Sequence, residues 1–117
     1  MDLCRLVEAL LSYDALAARQ WVADAIGRRI RWADLPRPVG LTAEGMALAA
    51  GVVELLAQRS GAKAPGWAME VQESPRKIFL VRAAESMPRL RRLCEEEGPE
   101  PLRRRGLFAP PEFLTVA

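Results

Sequence analysis

The stretch Thr42-Ala43-Glu44-Gly45-Met46-Ala47-Leu48-Ala49-Ala50-Gly51-Val52-Val53-Glu54-Leu55-Leu56-Ala57-Gln58-Arg59-Ser60-Gly61 decides the fold class. Thr42 is a good N-cap, and Glu44 places a negative charge in the first turn, where the helix dipole favours it. Met46, Ala49, Val52, Val53 and Leu56 recur at helical spacing and form one broad face. Gly61 follows the last periodic residue, as a helix stop should. The strongly apolar part, Met46 to Ala57, is interrupted by Glu54 and is too short to cross a bilayer, so no membrane association is expected. This is the clearest helix of the chain, in a sequence whose composition leans to an all-α fold.

Upstream, Asp2 caps a first helix in which Leu3, Leu6, Val7, Leu10 and Leu11 share a face. Ser12-Tyr13-Asp14 reads as a joint, since Ser and Asp prefer caps to helix interiors. A second helix is expected from Asp14 to about Arg29, with Leu16, Trp21, Val22, Ala25 and Ile26 on its apolar side. Gly27 weakens its end, and Arg28 and Arg29 suit a C-terminus. Pro36 and Pro38 make residues 32–40 a loop.

Downstream, residues 62–73 are irregular, with a Pro65-Gly66 turn. Ser74-Pro75 resembles a helix start, with the serine as cap and the proline at the first helical position. The run Ile78-Phe79-Leu80-Val81 could be a short buried strand, but Ala83-Ala84-Glu85 continues it with helix formers, and helix is preferred here. Ser86 is expected to cap a helix from Met87 to Glu97, ended by Gly98-Pro99, and a short helical turn covers Glu100 to Arg105. The tail, Leu107 to Leu114, is too apolar to hang free and should pack back on the body. The chain of 117 residues is then a single helical domain, 1–117, in the form of a compact bundle of about five helices with a possible short strand near 78–81.

Composition narrows the function. The chain has no histidine, which removes the usual general base and the commonest metal ligand. Ser-His-Asp and Cys-His catalysis are excluded, no phosphate-binding glycine loop is present, and no cofactor or metal site is expected. Two cysteines, Cys4 and Cys94, lie far apart without metal-type spacing. The first residues lack the features of a signal peptide, so the cytoplasm is the expected location. The carboxylates Asp24, Asp34, Glu70 and Glu73 are the candidates for an enzyme working with carboxylates and arginine alone, and solvated surface is their ordinary fate.

A net charge of +2 does not demand nucleic acid. Of the basic residues only Lys63 and Lys77 are lysines, and the arginines gather at Arg28, Arg29 and Arg31, at Arg89, Arg91 and Arg92, and at Arg103, Arg104 and Arg105. On one face these clusters would grip phosphate or an acidic surface. Arg91 with Glu95 and Arg92 with Glu96 are, however, i,i+4 pairs, and no aromatic residue interleaves with the clusters. Nucleic acid is therefore the lesser expectation, as a DNA-binding regulator. The stronger one is protein binding or self-association. Its candidate interface residues are Trp32 and Trp67 in loops, Arg103, Arg104 and Arg105, and the tail residues Phe108, Phe113 and Leu114.

The stretches Ala15-Leu16-Ala17-Ala18-Arg19-Gln20-Trp21-Val22-Ala23-Asp24-Ala25 and Gly98 to Leu114 resemble those of short bacterial proteins, of no assigned activity, from GC-rich genomes. Similar tails occur in small proteins encoded beside nucleotidyltransferase-like partners, in the manner of toxin–antitoxin pairs. The resemblance transfers no functional residue and adds weight to a protein-binding role. With the missing catalytic groups, the apolar tail and the arginine bias, the expected function is a non-enzymatic interaction module, either a homodimer or the antitoxin-like small partner of an enzyme.

Overall fold

A computed structural model of the chain describes residues 1–115. Five α-helices form the body: α1 (Leu3–Leu11), α2 (Ala15–Gly27), α3 (Ala43–Arg59), α4 (Pro88–Glu97) and α5 (Glu100–Arg103). Short 3-10 turns occupy Trp32–Asp34, Gly66–Glu70 and Arg82–Glu85. Two two-residue strands, β1 (Ile78–Phe79) and β2 (Leu107–Phe108), pair in parallel with Ile78 opposite Leu107 and Phe79 opposite Phe108.

The clearest helix of the sequence, α3, lies at the centre of the fold. Thr42 caps α3, its hydroxyl accepting from the Gly45 amide at 3.0 Å. From Gly45 to Ala57, only Met46 and Glu54 are not buried. The helix packs against α1, α5 and the turns at 32–34 and 66–70. Each fully buried leucine or valine on it, such as Leu48, Val52 and Val53, contributes about 1.5–3 kcal/mol. Gly51 lets α5 come close: a Cβ there would lie 2.9 Å from Leu102 Cδ2 and 3.4 Å from the Pro101 carbonyl oxygen. No helix is long and apolar enough to cross a membrane among the described residues.

The joint after α1 is as expected in place and more specific in form. Asp2 caps α1 and Asp14 caps α2, their carboxylates accepting from the amides of Cys4 and Ala17. α1, α2 and α3 all end in the same way. The Asp14 amide donates to the Ala9 carbonyl, Ile30 to Ala25, and Ala62 to Ala57. This six-to-one closure needs one left-handed residue, supplied by Tyr13 (φ 59°), Arg29 (φ 51°) and Gly61 (φ 68°). Glycine serves only the last.

The apolar side of α2 differs from expectation. Ala18, Trp21, Val22 and Ala25 are buried, whereas Leu16 is 80% exposed and Ile26 47% exposed. At 3.6 residues per turn, Ala25 follows Leu16 by two and a half turns and therefore lies on the opposite face.

Around 74–88 the structure corrects the sequence reading. Ser74-Pro75 starts no helix; the buried Ser74 hydroxyl donates to the Arg76 carbonyl at 2.7 Å, a local turn. Residues 78–79 are strand, not the preferred helix. Gly106 (φ 78°) turns the chain after α5 so that Leu107–Phe108 runs beside them, and this distant pairing outweighs local propensity. Ser86 caps nothing: α4 begins with Pro88 at its first position after an uncapped Met87. The tail does pack back. Leu107, Phe108, Ala109 and Leu114 are buried, and Arg59 donates to the carbonyls of Pro111 and Phe113.

Arg29→Gly, which removes a side chain from an exposed left-handed position, is expected to raise stability by about 0.5–1 kcal/mol. The urea midpoint checks it; a lower midpoint at unchanged slope would refute the strain assigned to Arg29.

Candidate functional site

The joint between α1 and α2 builds a concavity. It is a half-open cleft of about 340 Å³. Leu10, Ala18, Leu80 and Leu114 form its buried floor, and Val81 and Phe113 form half-buried walls. Tyr13, Asp14, Arg19 and Arg82 bring polar groups to its rim. The left-handed turn at Tyr13 aims the phenol across the gap toward the 78–85 segment. Its hydroxyl stands 3.4 Å from the Phe79 carbonyl oxygen and 3.5 Å from Glu85 Oε1. The Arg82 guanidinium lies over the Tyr13 ring, 5.0 Å from its centroid. Leu114 is also left-handed (φ 60°), so two of the three described non-glycine residues in that conformation line one cleft. Strained backbone of this kind gathers where a surface is shaped for a ligand.

The charges of the rim are uneven. Asp14 is occupied as a helix cap. Arg19 and Arg82 make no ion pair among the described residues. The cleft is thus an apolar slot whose rim carries two guanidiniums outside any close ion pair, with the charged carboxylate of Asp14 beside them.

The expected interface residues have various fates. Phe113 and Leu114 come together in the cleft wall and floor. Trp32 is buried, its ring 6.5 Å from that of Trp21, and Trp67 donates its indole N–H to the Leu35 carbonyl at 2.8 Å. Phe108 stacks on Phe79 with centroids 5.2 Å apart. The Lys77 amine stands 5.7 Å from the Phe108 centroid, and the Arg91 guanidinium 4.4 Å from the Phe79 centroid. The fold therefore does place aromatics beside cations, which the linear sequence hides. Those ring faces are taken by the stack and its cations and leave no open platform for a base.

The third arginine cluster is used internally. Arg103 donates to the carbonyls of Gly98 and Glu96 at the end of α4. Arg104 pairs with Glu54 and with Glu100. Arg105, only 4% exposed, donates to Glu54 Oε2 at 2.6 Å, to the Pro101 carbonyl at 2.8 Å and to the Ala68 carbonyl at 3.0 Å. Its Nε has no hydrogen-bond partner among the described residues. Three residues so engaged cannot join the other clusters in a basic face. Of the two expected i,i+4 pairs, Arg91–Glu95 forms at 3.6 Å, and Arg92–Glu96 does not close within 4.0 Å.

Asp24, Asp34, Glu70 and Glu73 are all exposed and line none of the four best-formed clefts. Asp24 accepts from Gln20, and Asp34 lies 3.9 Å from Arg31. Among the described residues no group of three His, Cys, Asp or Glu side chains could hold a metal ion. Burial pushes the Cys94 thiol up, and the carboxylates of Glu112 and Glu95 add to the shift. A thiol held protonated in this way is a poor nucleophile.

Sequence reasoning missed Tyr13, Leu16, Arg19 and Arg82. Leu16 carried a signal, since its angular position on α2 already separates it from Ala25. Arg82 carried none, because only tertiary packing brings it to Tyr13. No family model, curated protein or solved structure matches the chain.

Glu54→Leu strands Arg105 without its counter-charge and is expected to destabilise by about 3–5 kcal/mol, whereas Glu54→Leu combined with Arg105→Met should recover most of the loss. Denaturant titration of the cycle checks this, and simple additivity would contradict the pairing. In a thiol-reagent assay at neutral pH, Cys4 should react promptly and Cys94 only on unfolding; two prompt thiols would contradict the burial of Cys94.

Proposed function

We propose that this chain is a non-enzymatic protein-interaction module of the cytoplasm that receives an apolar anchor of its partner in the cleft at the α1–α2 joint. The carrying observation is the pairing of that cleft with Leu16, a large apolar residue 80% exposed on the adjoining turn of α2. An exposed leucine alone is ordinary; this one follows Ala15, which lines the slot, and adds an exposed apolar side chain next to it in the chain. Hot spots of protein interfaces are pockets of this kind, filled by a large apolar or aromatic side chain and rimmed by polar groups. The proposed mechanism is surface complementarity: the anchor supplies affinity and the rim arginines supply orientation.

The absence of histidine and the exposed, scattered carboxylates support a non-catalytic role. The resemblance of the tail favours an enzyme as the partner, in an antitoxin-like arrangement. Phe113 and Leu114 of that tail line the cleft, which connects the two arguments. A second copy of the chain is the other occupant the test must separate.

Leu16→Asp places a charge on the patch without touching the core. In affinity isolation from native cells, a partner retained by the wild-type chain should be lost from this variant. Light scattering behind gel filtration separates the two occupants: a dimer that Leu16→Asp dissociates identifies a second copy. Equal recovery with both chains, together with an unchanged monomer, would refute the proposal.

A further inference from the structure

We infer that the C-terminal strap, residues 110–115, is a hinged wall of the cleft that swings off as a unit while the rest of the fold stays intact, and that the side chain of Arg59 is the clamp that holds it down. The swing is a property of the strap alone. That it regulates access to the cleft rests on the cleft being a docking site.

The strap has a sharp root. Leu107, Phe108 and Ala109 are buried, and the Leu80 amide donates to the Phe108 carbonyl at 2.8 Å in the last bond of the ladder. In a parallel pair of this register the next bond would run from an N–H at position 110 to the Leu80 carbonyl, and Pro110 has no N–H. Gly98 lies against the Ala109 carbonyl, where a Cβ would stand only 2.5 Å from the oxygen, so the chain is closely packed up to that point. Beyond it come Pro110 and Pro111, whose rings fix φ at both positions and stiffen the start of the strap.

The attachments of the strap are few. Its backbone closes on itself: the Phe113 amide donates to the Pro110 carbonyl and the Thr115 amide to the Glu112 carbonyl, both at 3.0 Å. Among the described residues it is hydrogen-bonded to the body through one side chain. Arg59 donates to the Phe113 carbonyl at 2.5 Å and to the Pro111 carbonyl at 3.2 Å, and Arg59 is itself exposed. Only Leu114 of the strap is buried; Phe113 is half-buried, and Pro111, Glu112 and Thr115 are exposed. Leu114 is seated at a φ of 60°, a left-handed conformation that strains a residue with a Cβ and is relieved when the strap leaves. A segment with few buried apolar side chains and exposed hydrogen bonds opens more readily than the whole molecule unfolds.

Phe113 and Leu114 line the cleft together with Leu10, Ala18 and Leu80. When the strap swings off, the cleft loses one wall and part of its floor, and the remaining floor is bared. The cleft therefore has a closed form and a wider open form. Arg59, in the last turn of α3 and outside the cleft lining, sets the balance between them.

Thiol trapping reads the opening. The full chain carries Leu114→Cys in a Cys4→Ser background, and a thiol reagent in excess is added under native conditions. Cys94, fully buried on α4, reports opening of the body in the same molecule. The thiol of Leu114→Cys should be labelled at least about tenfold faster than Cys94. Arg59→Met should speed it by about threefold or more again, with the Cys94 rate unchanged. Because Leu114→Cys itself loosens the strap, chymotrypsin is also applied to the chain without it. Cleavage after Phe113 should precede any cut within α3 and should be about threefold or more faster in Arg59→Met. Equal labelling of the two thiols, or a cut after Phe113 no earlier than cuts in α3, overturns the hinged strap. Identical rates with and without Arg59→Met overturn the clamp. If the strap opens as expected while Leu16→Asp releases no partner, the docking reading falls and the hinged wall stands; if the strap stays shut while Leu16→Asp does release a partner, the docking site stands with a fixed wall.

Discussion

Glu54 is the constraint around which the packing is arranged. It stands in the most apolar part of α3, where a carboxylate without a partner would be untenable. Gly51, one turn earlier, lets α5 pack close against the helix, and Glu54 keeps only a small part of its side chain in contact with solvent. Arg105 resolves the conflict, and because a guanidinium carries five donors in a rigid fork, it does more than neutralise. The same side chain takes the carbonyls of Pro101 and Ala68, so α3, α5 and the turn at 66–70 are mutually located by one residue. Apolar residues would stabilise the contact as well. The ion pair adds a unique register, since sliding α5 along α3 would strand both charges.

Much of this architecture was legible in the residues. The caps at Asp2, Asp14 and Thr42, the apolar period of α3 and the breakers Gly61 and Gly98-Pro99 are local signals, and local physics alone sets them. The failures are equally physical. Ile78-Phe79 is strand only because Gly106 delivers Leu107-Phe108 alongside, and nothing within ten residues announces that pairing. Ser74-Pro75 has the composition of a helix start, but the serine hydroxyl donates to the Arg76 carbonyl in a local turn and accepts from no helix amide. Leu16 was assigned to the buried side of α2 because apolar type was allowed to outweigh angular position.

That last misplacement marks the candidate site. Where a pattern inferred for stability breaks, the exception is often functional, because the residue answers to something outside the chain. The core of α2 is satisfied by Trp21, Val22, Ala18 and Ala25, and Leu16 has no role in it. Tyr13 behaves similarly. A glycine would close α1 with less strain, yet the phenol is there, roofed by Arg82 and reaching the Phe79 carbonyl. The cleft thus consists of residues that local rules would have chosen differently.

The parallel pairing of β1 with β2 joins segments roughly 30 residues apart, and the Glu54–Arg105 bridge spans a still longer loop, so both demand more chain closure than the contact of α1 with α2. Non-local closures of this kind form late, after the short-range helical contacts that reward the chain early. Loop closure alone favours an order in which the α1–α2 hairpin comes first and the C-terminal half later latches onto the body through Arg105, β2 and the Arg59 clamp. The cleft at Tyr13 is walled by both halves. It exists only once the latch has closed, so its integrity reports the last event of folding.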